Sequence, residues 1–345
     1  MIMGGLRAGG QREGTLWLRE AYVFAVGPRA ERARKLAVRV VLIYLCASLF
    51  ASVLLAELTL HPYRMRLTHQ PQLAERYARF GASLNEVTLR ASDGAELGAW
   101  YSSPVHANGR AVILLHGISD NREGVAGYGE IFLAAGYAVL MPDSRAHGES
   151  GGKVATFGLL ESDDIRGWVD WLYQRGATCV DGFGESMGAS LVLESMRAGT
   201  RYCAVVADSP FSTFRQVAYD REGLYVGLAR LGGEYWVGRT IGLLPTELAL
   251  RYARWRYGVD LLRANPLDAV RSSTIPVLLI HGLDDINVLP RHSLVLAHAN
   301  PAHVELWLVP GAAHCGAVAV KPIEFRDRVV SFFNTHPRMD RVQHF

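Results

Sequence analysis

The sequence predicts an α/β fold: a mostly parallel sheet with flanking helices, preceded by a single long apolar helix. Three observations lead to this prediction. From about residue 85 onward, short apolar runs alternate with amphipathic stretches, as buried parallel strands do with the helices that connect them. Two early runs flank the turn Ser92-Asp93-Gly94 and predict an opening hairpin. An uncharged apolar run, residues 40–56, lies well before this pattern.

The predicted strands are short apolar segments bounded by turn residues. They are residues 85–90, 97–101, 111–115, 137–141, 179–183, 203–207, 277–280 and 304–309. Amphipathic stretches such as 130–135 and 163–173 predict helices between them. The interval 212–274 lacks strand character and is rich in aromatic residues, so it predicts a short helical insertion between two late strands.

The apolar run at residues 40–56 predicts a membrane-spanning helix. Its length covers about 25 Å, and the four residues that follow extend the span to 40–60, enough for a hydrocarbon core about 30 Å thick. A buried globular helix would need a polar stripe at helical spacing, which this run lacks. A cleaved signal peptide fits poorly, because a long basic region precedes the run and no clean cleavage site follows it.

Basic residues are concentrated in the N-terminal segment, residues 1–39. Five of them stand close to the apolar run: Arg29, Arg32, Arg34, Lys35 and Arg39. Arg64 and Arg66 form a weaker cluster on the other side. The positive-inside rule therefore favours a cytoplasmic N-terminus, with the domain at residues 67–340 on the periplasmic or extracellular side.

Charge and cysteine spacing exclude several classes of function. The net charge of +3 and the absence of a long basic run do not favour a nucleic-acid partner. Cys46, Cys179, Cys203 and Cys315 show no C-x-x-C spacing, so the sequence indicates neither a zinc site nor a redox motif. Because no phosphate-binding loop occurs either, we expect no metal and no cofactor.

Ser186 is the candidate nucleophile. The pattern G-x-S-x-G occurs twice, around Ser150 and around Ser186. A nucleophile elbow needs a strand leading in and a helix leading out, because the sharp turn lifts the hydroxyl above the edge of the sheet. The copy around Ser186 has both, whereas the copy around Ser150 lies in a glycine-rich loop. Gly184 and Gly188 suit the turn, since a side chain at either position would crowd it.

A serine hydroxyl needs a general base, and the base needs an acid that orients it. Two later loops supply these groups in the chain order serine, acid, histidine. One predicted strand runs into a loop that contains Asp284 and Asp285, and the last strand runs into a Gly turn followed by His314. Both loops leave the carboxyl ends of strands, where open α/β sheets bind ligands. His314 is the candidate base, and Asp285 and Asp284 are the candidate acids.

Five motifs carry a resemblance to a known family. They are His116-Gly117, Asp143-Ser-Arg-Ala-His147-Gly-Glu-Ser150, Gly184-Glu-Ser186-Met-Gly188, His281-Gly-Leu-Asp-Asp285 and Gly311-Ala-Ala-His314. Together they resemble the α/β-hydrolase superfamily, over about residues 85–335. The family's acid usually stands four residues after the histidine of the later His-Gly turn, so the resemblance favours Asp285. It also implies an oxyanion hole formed by the backbone N–H groups of Ile118 and Met187, and a cap at residues 212–274.

Five polar residues near these motifs are predicted to be structural: His116, Asp143, His147, Ser150 and His281. We expect His116 to brace the oxyanion loop and His281 to brace the turn before the acid. Asp143, His147 and Ser150 have the composition of a triad, but all three lie within one loop. In this loop the family usually has Gly where this chain has Ala146.

The resemblance implies a serine hydrolase and leaves its substrate open. We expect cleavage of a carboxylic ester or thioester with an acyl or lipid-like group, through an acyl-enzyme on Ser186, because a bilayer lies nearby. A serine peptidase of the aminopeptidase type is the alternative enzyme, although the cap is short and rich in Arg. A non-catalytic binding protein on the same fold is the third hypothesis, and the complete set of Ser, Asp and His argues against it.

The aromatic residues of the cap either line an apolar acyl pocket or simply hold the cap together. They are Phe214, Tyr219, Tyr225, Tyr235, Trp236, Tyr252, Trp255 and Tyr257. No candidate site residue precedes Leu67, so a chain that begins near Leu67 is expected to be soluble and active. In the family sheet the strand before the nucleophile lies beside the next strand. The resemblance therefore allows a disulfide between Cys179 and Cys203 in an oxidising compartment, with two buried thiols as the alternative.

Overall fold

The computed structural model describes residues 28–68, 71–225 and 240–336. The chain divides into two compact units, Met1–Ala51 and Ser52–Phe345. The second unit is built around one eight-stranded, mostly parallel sheet with helices packed on both faces. The predicted fold class is thereby confirmed.

Each strand of the sheet corresponds to a predicted run. In chain order the strands are β1 (Asn85–Arg90), β2 (Glu96–Ser102), β3 (Arg110–Leu115), β4 (Ala138–Pro142), β5 (Cys179–Glu185), β6 (Val205–Asp208), β7 (Val277–Gly282) and β8 (Val304–Val309). Their order across the sheet is β1-β2-β4-β3-β5-β6-β7-β8. The pairs β1–β2 and β2–β4 are antiparallel, and all other neighbours are parallel. β1 and β2 form the predicted hairpin.

The helices connect the strands and cover both faces of the sheet. In chain order they are α1 (Pro28–Leu60), α2 (Pro71–Ala78), α3 (Ala126–Ala134), α4 (Glu161–Gln174), α5 (Met187–Ser195), α6 (Phe214–Tyr225), α7 (Leu243–Tyr257), α8 (Pro266–Ser272), α9 (Arg291–Ala299), α10 (Ala317–Val320) and α11 (Pro322–Thr335). The interval predicted as a helical insertion contains α6, α7 and α8, and residues 226–239 within it lie outside the described residues.

Two apolar cores hold the sheet between its helical layers. Successive side chains of a strand point to opposite faces. Ile113 and Leu279 therefore pack on one face with Trp168 of α4, while Val112 packs on the other face with Phe325 of α11. Full burial of one such side chain contributes roughly 1.5–3 kcal/mol as an upper estimate. The sheet is thus a rigid support for the loops at the carboxyl ends of its strands.

The N-terminal helix α1 is long and apolar enough to cross a membrane. It has 33 residues, which correspond to about 50 Å at 1.5 Å per residue. Its most apolar window has a mean hydropathy of 2.3, and 11% of that window is buried. The predicted apolar run at 40–56 lies within α1, which begins earlier, at Pro28, because proline suits the first turn of a helix.

The last turns of α1, residues 52–60, belong to the second unit. Leu60 is fully buried in the core of that unit. Just after the helix, the guanidinium group of Arg64 donates hydrogen bonds to the carbonyl oxygens of Ser150 (2.9 Å) and Gly152 (2.7 Å). The far-side flank of the apolar helix is therefore attached to the sheet domain.

Candidate active site

Ser186 stands at a sharp turn between the central strand β5 and helix α5. Its backbone has φ 53° and ψ −116°, in the left-handed region that costs a non-glycine residue free energy. A Cβ atom on Gly184 would overlap the backbone of Gly188, and a Cβ atom on Gly188 would overlap the Leu115 carbonyl group. The strand, the two glycines and the helix together hold the Ser186 hydroxyl above the sheet edge.

Three side chains from separate loops meet at this edge. The Oγ atom of Ser186 lies 2.7 Å from Nε2 of His314. The Nδ1 atom of His314 lies 2.7 Å from Oδ2 of Asp285. The loops follow β5, β7 and β8, so all three residues stand at the carboxyl ends of parallel strands. The structure brings the predicted nucleophile, base and acid into one hydrogen-bonded chain.

Asp285 has the environment of an ionised carboxylate. Its Oδ1 atom accepts hydrogen bonds from the backbone N–H groups of Asn287 (2.9 Å) and Val288 (3.0 Å). Burial alone would raise the pKa of Asp285, but hydrogen bonds from His281 and His314 outweigh it and hold the pKa well below its usual range. Asp285 is therefore charged at neutral pH and can fix the His314 tautomer with a proton on Nδ1.

The other candidate acid and the neighbouring histidine have different surroundings. The side chain of Asp284 is exposed, and it is Asp285 whose carboxylate contacts His314. His281 is fully buried, with Nδ1 at 2.7 Å from Ser293 Oγ and Nε2 at 2.8 Å from the Val288 carbonyl oxygen. His281 thus braces the turn that carries Asp285.

The loop after β3 supplies backbone donors beside Ser186. A Cβ atom on Gly117 would lie 3.6 Å from Ser186 Cβ, which shows how closely this loop approaches Ser186. Among the described residues, the N–H groups of Ile118 and Met187 have no protein acceptor, and Met187 begins α5, whose N-terminus carries partial positive charge. His116, with a pKa lowered by burial, lies 2.7 Å from the Gly117 carbonyl oxygen and braces the loop as a neutral ring.

A cavity of about 470 Å³ opens onto Ser186. Its lining is mostly apolar and comes mainly from the loop after β3, from the helices of the insertion and from the end of α1. The residues contributed by α1 are Leu54, Leu55, Ala56, Leu58 and Thr59. Part of the cavity wall therefore lies before Leu67, and the activity of a chain that begins near Leu67 stays a prediction. A larger groove of about 920 Å³ runs along α11, away from Ser186, and has several charged residues in its lining.

Comparison with known proteins agrees with this geometry. The family model described as the alpha/beta hydrolase family matches residues 112–328 of the chain. The chain belongs to the alpha/beta hydrolase family. The matched region contains β5 with its elbow and the loops after β7 and β8, so it includes Ser186, Asp285 and His314. The chain is accordingly a hydrolase.

Similar proteins include one uncharacterised protein and several hydrolases of known structure. Protein YqkD of Bacillus subtilis is 33% identical over 202 residues, which span 56% of this chain and 60% of that protein. The esterase Pf2001 of Pyrococcus furiosus is 25% identical, with a TM-score of 0.63 over 81% of this chain and 100% of that chain. An acylaminoacyl peptidase of Pyrococcus horikoshii is 16% identical, with a TM-score of 0.54 over 76% of this hydrolase and 43% of that chain.

The second serine motif of the hydrolase has a structural arrangement. The Asp143 carboxylate accepts hydrogen bonds from the backbone N–H (2.7 Å) and Nε (3.1 Å) of Arg122. His147 Nδ1 lies 2.9 Å from the Arg145 carbonyl oxygen, and Ser150 Oγ donates to the Asp143 carbonyl oxygen at 2.7 Å. These side chains bond to the loop and to Arg122, so they form no relay. Ala146 takes φ 59°, which explains the glycine that the family usually has at this position.

The aromatic residues of the insertion serve both of the functions considered. Phe214 lines the cavity. The Tyr219 hydroxyl donates to Glu247, and the hydroxyls of Tyr252 and Tyr257 donate to the Glu57 carboxylate on α1. Trp255 is exposed. The side chains of Tyr225, Tyr235 and Trp236 lie outside the described residues.

Two acids next to the site, one half-buried and one fully buried, were missed by sequence reasoning. Burial raises the pKa of Glu185, which precedes Ser186, to about 7. Burial also raises the pKa of Asp208, the last residue of β6, to about 8. The thiol of Cys315, which follows His314, has its pKa raised by burial and by these two acids. An acid at the end of a strand has no distinguishing sequence signal, because its burial depends on helices far away in the chain.

The structure decides between the two alternatives for Cys179 and Cys203, a disulfide and two buried thiols. Cys179 and Cys203 form a disulfide between the segments that enter β5 and β6, with Cα atoms 6.0 Å apart. This separation lies within the usual range for a disulfide.

Proposed function

We propose that this hydrolase is a serine hydrolase that cleaves a carboxylic ester or thioester of an apolar acyl group. The observation that carries the proposal is the chain of contacts from Ser186 to His314 to Asp285, each 2.7 Å long. This chain lies beside an apolar cavity. The nucleophile, base and acid are assigned to these residues in that order.

The arrangement supports a two-step mechanism. His314 Nε2 accepts the Ser186 proton as Oγ attacks the carbonyl carbon, and the charged Asp285 stabilises the imidazolium that forms. The N–H groups of Ile118 and Met187 bind the oxyanion. His314 then donates its proton to the leaving alcohol or thiol, and the acyl group remains on Ser186. Water attacks this acyl-enzyme with His314 again as base, which releases the acid and restores the hydroxyl.

The composition of the cavity supports an acyl substrate. Its volume of about 470 Å³ falls in the range of small-molecule sites. Arg221 is the one charged residue in the described lining, so no carboxylate is present there to receive the free amine of an aminopeptidase substrate. The likeness to esterase Pf2001 favours an ester as well, whereas the likeness to the peptidase concerns the fold alone. A purely binding role has less support, because all three groups of the relay are in contact.

We also propose that residues 40–60 anchor the hydrolase in a membrane, after a basic segment at residues 1–39. The hydrolase domain, residues 67–340 with a cap at about 212–274, then lies on the periplasmic or extracellular side. Three observations support this topology. They are the length and hydropathy of α1, the basic N-terminal flank, and the disulfide between Cys179 and Cys203, since disulfides persist in oxidising compartments.

Labelling with a fluorophosphonate probe tests the serine mechanism. Ser186→Ala should abolish labelling and lower turnover of an acyl ester by roughly three to six orders of magnitude. Ser150→Ala is the matched control, because it removes the hydroxyl of the other G-x-S-x-G motif, and it should keep the label and most of the activity. A label that persists in Ser186→Ala and disappears in Ser150→Ala would contradict the assignment.

A further inference from the structure

The end of helix α1 is part of the cavity that opens onto Ser186. Leu54 and Leu58 stand one helical turn apart, line the cavity, and are also 48% and 63% exposed. Each therefore has one part facing the cavity and another part open to its surroundings. Ala56, by contrast, is 3% exposed and forms a closed part of the wall. The leucines make an apolar edge through which the cavity continues outward.

A polar clamp holds this end of α1 against the helix α7. The Tyr252 hydroxyl donates to Glu57 Oε1 at 2.7 Å, and the Tyr257 hydroxyl donates to Glu57 Oε2 at 2.7 Å. His61, one turn later, contacts the Tyr257 ring edge-on, with ring centroids 5.3 Å apart. The clamp fixes the positions of Leu54 and Leu58, called here the leucine wall, because Glu57 lies between them on the same helix.

The clamp also marks the boundary of the proposed membrane span. Glu57 is the first charged residue after the apolar run 40–56, and the tyrosines of α7 that bind it lie at the same level. Trp255 of α7 is 79% exposed and packs beside the Tyr252 ring, with the ring centroids 6.1 Å apart. Exposed Arg254 and Arg256 flank it. Tryptophan and arginine are typical of the interface between hydrocarbon and lipid headgroups.

We propose that the end of the anchor helix is the acyl-binding wall of the active site, and that the substrate is an ester whose acyl chain enters from the bilayer between Leu54 and Leu58. The proposal rests on the proposed function, because it assigns the acyl group of the same hydrolysis. It adds that the membrane helix is a specificity element. Glu57, Tyr252 and Tyr257 are positioning residues that hold the wall.

Acyl-length profiles of the full-length protein test the proposal. The protein is placed in phosphatidylcholine nanodiscs, and kcat/KM is measured for p-nitrophenyl esters from acetate to palmitate. Rates are expressed per site labelled by a fluorophosphonate, so that misfolded molecules do not count. Leu55 is the position to vary, because it lines the cavity and is half-buried. Leu42→Ala is the matched control, since Leu42 lies about 20 Å earlier along the same helix.

Two substitutions at one position should shift the profile in opposite directions. Leu55→Ala enlarges the cavity, so the best acyl chain should become longer. Leu55→Trp narrows it, so the ratio of kcat/KM for dodecanoate over acetate should fall at least about tenfold, as expected for two methylenes that lose their contacts. Leu42→Ala should keep the wild-type profile. An unchanged profile in both Leu55 variants, with labelling intact, overturns the inference, whereas a wild-type protein that hydrolyses none of the esters overturns the proposed function itself.

The clamp gives a second, milder test. The double variant Tyr252→Phe, Tyr257→Phe keeps both rings and removes only the hydroxyls that bind Glu57. The wall then loses its fixed position, so the preference for long over short esters should decrease by about fivefold or more, mainly through KM for the long ester. Equal losses on acetate and dodecanoate contradict a positioning role.

Discussion

The assignment of the acid makes a sharp prediction about Asp285→Asn. In the wild-type protein Oδ1 of Asp285 accepts two backbone N–H groups, from Asn287 and Val288, while Oδ2 faces Nδ1 of His314. An asparagine must keep its carbonyl oxygen towards the two N–H donors, because its NH₂ group cannot accept from them. The NH₂ group is thereby turned towards His314.

This orientation places His314 in the wrong tautomer. Nδ1 must accept a hydrogen bond from the asparagine, so the proton moves to Nε2, which faces Ser186 Oγ at 2.7 Å. Nε2 can then no longer take the serine proton. The same change in a serine protease lowers turnover by about 10⁴, which corresponds to roughly 5.5 kcal/mol at 1.36 kcal/mol per factor of ten. We expect a loss of this size here, since the relay contacts are equally short.

The assay compares kcat on one soluble p-nitrophenyl ester for the wild type, Asp285→Asn and Asp284→Asn. Asp284→Asn is the matched control, because it makes the same chemical change at the adjacent exposed residue. It should cost less than about tenfold. Circular dichroism and thermal melting confirm that both variants fold. Equal losses in the two variants, or a loss below about a hundredfold in Asp285→Asn, would refute the tautomer reasoning.

Three further predictions concern stability and location. Burial raises the pKa of Asp208 to about 8, so the folded state keeps a proton that the unfolded state loses near pH 4, and the free energy of unfolding falls as the pH rises from about 4 to 8. Asp208→Asn should therefore show a smaller fall in Tm between pH 5 and pH 9 than the wild type. Curves of Tm against pH that run parallel for the two proteins would contradict this. Replacing Cys179 and Cys203 by Ser removes a cross-link between positions 24 residues apart and should lower the free energy of unfolding, measured by denaturant titration, by about 2–4 kcal/mol. If adding a reductant left the unfolding midpoint of the wild type unchanged, that would argue against the disulfide. The full-length protein should remain with membranes after a carbonate wash at high pH, and its C-terminal domain should resist protease from the cytoplasmic side.

The fold followed from local signals in the sequence. Each predicted apolar run corresponds to a strand, and a strand buried on both faces, such as β3, has apolar side chains at nearly all of its positions. The elbow was recognisable for a related reason. Only glycine fits at 184 and 188, since any Cβ atom there would overlap backbone, and the same steric limit produces the G-x-S-x-G pattern.

The parts of the site that could not be predicted depend on contacts between distant residues. Glu57 binds Tyr252 and Tyr257 across about two hundred positions, and nothing near Glu57 in the sequence announces these partners. The buried state of Asp208 likewise depends on packing around β6 and not on its neighbours in the chain. Local patterns therefore predicted three residues that meet at the carboxyl edge of the sheet, while the wall of the cavity required the tertiary structure.

Glu57 is also unusual for its place in the helix, a feature that the sequence analysis did not use. Glu57 lies in the last turn of α1, where the negative end of the helix dipole disfavours an acidic side chain, and it follows directly on an apolar run. A carboxylate at such a position costs free energy unless other groups bind it, and two tyrosine hydroxyls and His61 do so. A residue that contradicts its local environment in this way is expected where function or a specific contact requires it. The Glu57 carboxylate therefore holds the end of α1 beside the cavity that opens onto Ser186. Removing it should change the acyl-length profile of hydrolysis while the protein still stays with membranes.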